Sequence, residues 1–339
     1  MSKIKIGING FGRIGRNVFK IAFAKKDLEI VGINDLTSTK ILSHLLKYDS
    51  TQGKFNGNVS YEEDYIIVNE KKIKVTSERN PINISWEKTP DIIIEATGIF
   101  TKRESEKGGY GDHLKNGAKK VILTVPSKDK IDNMIVLGVN DDDLRDEDTC
   151  VSNASCTTNC LAPIVKILND KFGVVSGFMN TIHAYTNDQN ILDAPHLDLR
   201  RARSAAVSQI PTTTGAAKAV GKIIPEMKGK LDGMAVRIPT PTGSLIDLVV
   251  NLKKETTKEE INLEMKKAAE NEMKGILEYT EDPIVSVDII NNPHSSIFDA
   301  QSTMVIGKMV KVLSWYDNEW GYSARVVDLI YKLMQIIKN

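Results

Sequence analysis

Ile4-Lys5-Ile6-Gly7-Ile8-Asn9-Gly10-Phe11-Gly12-Arg13-Ile14-Gly15 is the stretch that decides the fold. Its first half reads as a strand and its second half spells G-x-G-x-x-G. From residue 13 to 24, Ile14, Val18 and Ile21 recur at helical spacing, so the glycines open a helix. A second strand-like run, 28–33, leads to Asn34-Asp35, twenty residues beyond Gly15. A glycine triplet alone is a weak signal. Between a strand and a helix, with an acidic residue at that distance, it marks a dinucleotide-binding βαβ unit. Gly10 permits the tight turn, Gly12 lets backbone approach a pyrophosphate, and Gly15 lets helix and strand pack closely. The helix N-terminus adds N–H groups and the positive end of its dipole. Asp35 can accept ribose hydroxyls and repels a 2′-phosphate, so the expected cofactor is NAD rather than NADP.

Working outward, short apolar runs at 91–95, 121–125 and 134–139 suit strands buried on both faces of a parallel sheet. Residues 65–75 predict a hairpin around Asn69-Glu70-Lys71. Beyond residue 151 the runs lengthen and adjoin one another, at 174–184, 234–238, 245–252, 285–290 and 309–315. One amphipathic helix, about 258–272, interrupts them, and a final helix carries Val326, Ile330, Leu333 and Ile337 on one stripe. The expected fold class is α/β: an N-terminal Rossmann-type, doubly wound parallel sheet, plus an α+β catalytic domain with a mostly antiparallel sheet. The expected boundaries are 1–154, completed by the C-terminal helix 319–339, and 155–318.

Composition narrows the function class. The 339 residues carry 45 Lys+Arg against 44 Asp+Glu, a net charge of +1, which predicts no nucleic-acid partner. No run approaches the ~18 apolar residues of a membrane span, so no membrane partner is expected. Met1-Ser2-Lys3-Ile4-Lys5-Ile6 alternates polar and apolar and reads as a strand rather than a secretory signal. Three cysteines cannot make a disulfide framework. The expectation is a cytoplasmic, two-domain enzyme with reduced thiols.

The cysteines separate by position. Ser152-Asn153-Ala154-Ser155-Cys156-Thr157-Thr158-Asn159-Cys160 precedes a helical pattern, with Asn153 or Ser155 as the natural N-cap. Cys156 at a helix N-terminus is placed to be a thiolate nucleophile, more so beside an imidazole. Cys160, one turn on, and Cys150 read as packing residues. Of the five histidines none has metal-ligand spacing, and no metal is expected. His183 stands apart, at the end of a strand-like run, where a base is held rigidly. Arg237 in an apolar strand needs an anion or a pocket, and Thr212-Thr213-Thr214-Gly215 suits a phosphate.

These motifs together resemble the phosphorylating glyceraldehyde-3-phosphate dehydrogenase family over essentially the whole chain. The likeness rests on residues 9–16, Tyr48-Asp49-Ser50-Thr51, the Ser-Cys-Thr-Thr-Asn-Cys string at 155–160, residues 183–189, residues 211–218 and Trp315-Tyr316-Asp317-Asn318-Glu319. The resemblance implies Cys156 as nucleophile with His183 as its base. It implies one anion site from Ser155, Thr157, Thr214, Gly215 and Arg201, and a second from Thr186 and Arg237, nearer the cofactor. It assigns Gly10, Gly12, Arg13, Ile14, Gly15, Asp35, Arg79, Thr124 and Asn318 to NAD. Leu36 and Pro195 match the NAD-using members. A homotetramer is implied, with the loop from about 185 to 209 near a neighbouring subunit's cofactor.

The implied reaction is oxidation of glyceraldehyde 3-phosphate, with inorganic phosphate, through a thiohemiacetal and a thioester on Cys156. An erythrose-4-phosphate dehydrogenase-like oxidation without phosphorolysis, and a secondary interaction role, stand as alternatives. One departure is visible: Gly108-Gly109-Tyr110-Gly111 lengthens the segment after Thr101-Lys102 and is expected to be a surface loop.

Overall fold

The structure is a computed structural model that describes residues 3–338. Met1, Ser2 and Asn339, at the expected domain limits, and the Ile337 side chain of the expected stripe lie outside the described residues. The chain divides into two compact units. One holds the residues up to Ile135, Asp142–Ala154 and the chain from Ser323 on; the other holds Val136–Asp141 and Ser155–Tyr322.

The first unit runs β1 (Ile4–Asn9), α1 (Arg13–Phe23), β2 (Leu28–Asn34), α2 (Thr39–Lys47), β3 (Val59–Glu62), β4 (Tyr65–Val68), β5 (Lys71–Thr76), β6 (Ile92–Glu95), α3 (Asp112–Lys115), β7 (Lys120–Leu123), β8 (Asn133–Met134) and β9 (Cys150–Ser152). Its sheet has the order β3-β4-β5-β2-β1-β6-β7-β9-β8. All pairings are parallel except those within the β3-β4-β5 meander. Strand β1 is flanked by β2 on one side and β6 on the other, so the strand order reverses at its end. The carboxyl edge at such a switch point is where open α/β sheets bind ligands. The expected hairpin is β4–β5, turned by Asn69 and Glu70 at φ +46° and +70°.

A buried polar chain ties these strand ends together. Asn34 donates to Asn9 Oδ1 at 2.8 Å, and Asn9 donates to Glu95 Oε2 at 2.6 Å. Glu95 also accepts from the Thr97 amide and from His113 Nε2, at 3.0 and 2.9 Å. The last residues of β1, β2 and β6 are therefore held in register by side chains as well as by the ladder.

The second unit runs α4 (Cys156–Phe172), β10 (Val174–Ala184), β11 (Ile210–Thr213), α5 (Ala216–Ile223), β12 (Leu231–Ile238), β13 (Ser244–Leu252), α6 (Lys258–Glu270), β14 (Leu277–Thr280), β15 (Ser296–Ile306) and β16 (Met309–Tyr316). Helix α7 (Trp320–Lys338) begins here and then joins the first unit. The sheet order is β11-β12-β10-β13-β16-β15-β14, mostly antiparallel, with β10–β12 and β14–β15 parallel.

Two expected strands differ. Of 134–139, only Met134 is in a strand. The chain then turns, with Asn140 Oδ1 accepting from the Val136 amide and Gly138 at φ +81°. Residues 285–290 form turns, because Asp288 Oδ2 captures the Val285 amide and only Ile289 of the run is well buried. The 108–111 loop also departs from expectation. Tyr110 is fully buried against Val121, Leu123 and Cys150, and its hydroxyl donates to Asp129 Oδ1 at 2.8 Å. The segment is a plug in the core rather than a surface loop.

Candidate active site

At the β1–α1 turn a cavity of about 590 Å³ opens, lined by Gly10, Gly12, Asp35, Arg79 and Thr97 among others. Gly12 is the N-cap of α1, no side chain caps it, and a Cβ built there would meet no protein atom within 4 Å. Its missing side chain thus serves the cavity rather than the packing. A Cβ on Gly15, by contrast, would strike the Gly10 carbonyl oxygen, so this glycine serves the helix–strand contact. Asp35 accepts from the Phe11 and Thr37 amides at 2.8 and 2.9 Å. Each carboxylate oxygen keeps a further lone pair for a hydroxyl. An open glycine cradle at an uncapped helix start, with a fixed carboxylate beside it, fits a dinucleotide.

Not every expected residue lines this cavity. The Arg13 guanidinium is engaged elsewhere, with Asp49 at 2.8 Å and with Thr51. Together with Lys20 it holds the Asp49 carboxyl well below its ordinary range, against the opposing effect of burial. Ile14 is half-buried and absent from the lining, as is Thr124, whose hydroxyl donates to the Glu95 carbonyl. Asn318 lies buried in the second unit, its Oδ1 accepting from Ser244 at 2.8 Å.

The second unit holds the cysteine. Of the two cap candidates, Ser155 is the N-cap of α4, accepting from the Thr158 amide at 3.1 Å. The chain enters through Ala154 at φ +53°, a conformation costing an L-residue roughly 1–2 kcal/mol. Cys156 opens the helix, half-buried, with Sγ 3.6 Å from His183 Nε2. His183 Nδ1 lies 2.6 Å from the Ala184 carbonyl oxygen. Arg237 Nη1, which can only donate, lies 3.1 Å from both that carbonyl oxygen and Nδ1. The shorter Nδ1–carbonyl contact needs a proton between its atoms, so Nδ1 is assigned the proton, the Arg237 hydrogen goes to the carbonyl, and the Nε2 lone pair faces the thiol. The register of β10 and β12 sets Arg237 beside His183. Arg237 Nη1 donates to the same carbonyl at 3.1 Å and reaches Thr186 Oγ1 at 3.4 Å. Arg237 Nε is buried with no partner among the described residues.

The electrostatics differ from a ready-made ion pair. Burial pushes the Cys156 thiol up, opposed by the Arg237 charge. Burial, with Arg237 and then Arg201, pulls the His183 imidazole from 6.5 down to about 3. Burial therefore works against the charged forms of both groups, opposing the thiolate that the helix terminus favours. Desolvation outweighs the helix dipole here.

The structure brings Cys156, His183, Arg237 and Thr186 together. Arg201 donates to Thr212 Oγ1 at 3.0 Å, pairs with Asp188, and contributes its charge at His183 and Arg237. Thr214 Oγ1 accepts from the Ala216 amide, and Gly215 is the exposed N-cap of α5. Ser155 and Thr157 already carry structural contacts. Ser155 caps the helix, and the Thr157 hydroxyl is buried against the Tyr316 hydroxyl at 2.9 Å. Tyr316 itself is a site residue that the sequence reading missed. Its hydroxyl also meets Thr181 Oγ1 at 2.8 Å, and its ring sits edge-on to His183 at 5.9 Å. The Trp315–Glu319 string was its signal, but only Asn318 was drawn from it. Cys150 and Cys160 are buried, their thiols pushed to about 11 and about 12 by desolvation.

A family model described as "Glyceraldehyde 3-phosphate dehydrogenase, NAD binding domain" matches residues 4–103, and one described as the "C-terminal domain" of the same enzyme matches residues 155–318. The chain belongs to the glyceraldehyde-3-phosphate dehydrogenase family. It is 60% identical to the glyceraldehyde-3-phosphate dehydrogenase of Borreliella burgdorferi, over 98% of this chain and all of that one. It is 58% identical to that of Geobacillus stearothermophilus and 56% to glyceraldehyde-3-phosphate dehydrogenase 1 of Bacillus subtilis, each over 96% of this chain and 97% of the relative. Membership makes the chain an NAD-dependent oxidoreductase acting on an aldehyde.

Two predictions follow from the geometry. Gly12→Ala should leave the melting temperature without NAD nearly unchanged while weakening NAD binding at least about tenfold, whereas Gly15→Ala should lower that melting temperature itself by several degrees. Melts with and without NAD separate the two. The second concerns His183. The unfolded chain takes up this proton near 6.5, the folded site only near 3. Stability is then full above the unfolded value and falls, by about 4 kcal/mol, as pH drops from 6.5 toward 3. Denaturation midpoints across that window should slope less steeply in His183→Asn.

Proposed function

We propose that this chain converts glyceraldehyde 3-phosphate and inorganic phosphate to 1,3-bisphosphoglycerate while reducing NAD, using Cys156 as nucleophile and His183 as base. The observation that carries the reading is the Cys156–His183 contact beside the half-buried Arg237. The family membership and the curated relatives' names support the substrate. Residues 1–154 with 319–339 form the cofactor domain in this reading, and 155–318 the catalytic domain.

As the Cys156 sulfur adds to the aldehyde carbon, its proton passes to His183 Nε2, and a thiohemiacetal forms. The rising negative charge on sulfur and oxygen is met by the α4 N-terminus and by Arg237. His183 returns that proton to the alkoxide oxygen, completing the thiohemiacetal hydroxyl, and takes it back as the carbon–hydrogen bond becomes a hydride donor. NAD, held at Gly10, Gly12 and Asp35, supplies the hydride acceptor when bound. A thioester remains on Cys156, and inorganic phosphate attacks its carbonyl to release the acyl phosphate. Arg237, with Nε uncommitted and Thr186 alongside, suits one phosphate. Arg201 with Thr212, Thr214 and Gly215 suits the other once Asp188 gives up its place.

Assembly as a homotetramer is part of the proposal. Ile191, Leu192, Leu197, Leu199 and Val207 are each at least 75% exposed, and Phe178, Met304 and Ile306 are also open to solvent. Apolar exposure on this scale marks an interface. Cytoplasmic residence suits three unbridged cysteines, one of them the nucleophile.

NADH formation from glyceraldehyde 3-phosphate should require inorganic phosphate for sustained turnover. Cys156→Ser should lower kcat by about 10³-fold or more while calorimetric NAD binding persists. Phosphate-independent turnover with erythrose 4-phosphate would replace this reading with the non-phosphorylating one. Light scattering should return the mass of four chains, and a stable monomer would remove the assembly proposal.

A further inference from the structure

The loop around Gly108-Gly109-Tyr110-Gly111 also reaches the dinucleotide cavity. Lys107, immediately before Gly108, lines the cavity with Asp35, Glu78 and Arg79. These four are the ionisable groups of the lining, two of each sign. The Lys107 side chain has no hydrogen bond or ion pair among the described residues, and neither does Arg79.

The loop is built to hold this lysine in place. Gly109 passes so close to the Arg103 carbonyl that any Cβ there would collide with it. The Tyr110 amide donates to the Lys102 carbonyl and the Gly111 amide to the Arg103 carbonyl, each at 3.0 Å. Tyr110, fully buried, anchors the far end through its bond to Asp129. Gly108 packs against Asn80, the neighbour of Arg79, so both cations arrive at the same wall. A cavity carrying only Asp35, Glu78 and Arg79 would be net negative toward a ligand with a dianionic diphosphate. Lys107 cancels that charge.

We infer that Lys107 is a cofactor-binding residue which attracts the adenosine diphosphate half of the dinucleotide, setting affinity without touching the chemistry. The inference rests on the cofactor reading above. Its action is that of a long, solvated cation. It should be modest, salt-sensitive, and preserved by arginine but not by glutamine.

The test is calorimetric titration of the intact protein with NAD, with ADP-ribose and with nicotinamide mononucleotide, at low and high salt. Lys107→Gln should weaken NAD and ADP-ribose about two- to tenfold at low salt, leave nicotinamide mononucleotide unchanged, and converge on the parent protein at high salt. Lys107→Arg should retain binding, and in steady state Lys107→Gln should raise the KM for NAD with kcat unchanged. Unchanged NAD affinity in Lys107→Gln, or a loss that neither arginine nor salt reverses, overturns the inference while leaving the cofactor reading standing. A parent protein that binds no NAD overturns both.

Discussion

The 2.6 Å approach of His183 Nδ1 to the Ala184 carbonyl is the contact on which the catalytic geometry depends. It places the ring proton on Nδ1, with the Arg237 hydrogen directed to the carbonyl instead of to the ring, and so gives Nε2 its lone pair toward Cys156. Were the tautomer reversed, the imidazole would present an N–H to a thiol and accept nothing. Arg237 secures the arrangement by donating to that same carbonyl. Its charge acts oppositely on the two partners, favouring a thiolate and disfavouring an imidazolium. In a desolvated pocket neither charge forms alone. Burial thus disfavours charge on either partner, and an electrophile that takes up the sulfur's developing charge relieves that cost.

The fold supplies this geometry from several elements. Cys156 sits on α4, His183 on β10 and Arg237 on β12. Strand register fixes the last two, since parallel pairing sets His183 directly beside Arg237. The helix needs its own anchor. Ser155 closes its first turn, and Ala154 bears the left-handed turn that aims it. That backbone strain persists because the residues on either side are tied into the packed structure.

How much of this was legible beforehand varied with the range of the interaction. The glycine cradle and Asp35 were readable because their spacing encodes the contact: the β1–α1 turn and the end of β2 are joined by one crossover. The Cys156 helix start was readable from local capping chemistry. The protonation state was not. It depends on burial, which collects charge and dielectric from residues far apart in sequence, and a local helix-dipole argument gave the opposite direction. Residues 285–290 were misread because β-branched composition mimics a strand where Asp288 instead closes a turn. The Arg13–Asp49 pair could not be read from spacing, because it joins residues brought together only by the fold. The glycines at 108, 109 and 111 looked like surface slack, and only the close approach of Gly109 and Gly111 to Arg103 and the positive φ of Gly108 show why they are glycines.

Tyr316 shows what remains once these pieces are in place. Its phenol is held well above the ordinary range by burial, so it acts as a neutral hydroxyl. It bridges Thr157 on the first turn of α4 and Thr181 on β10, two residues before His183 on the same strand face. The nucleophile and the base belong to different elements, and a 3.6 Å contact between them tolerates little independent drift. A hydroxyl bridge linking the residue after one to the residue two before the other converts two separately anchored elements into one frame. Its ring, edge-on to the imidazole, removes the remaining freedom of the base to swing away. Position in this site is therefore set from β16, an element that contributes no group to the bond-making itself.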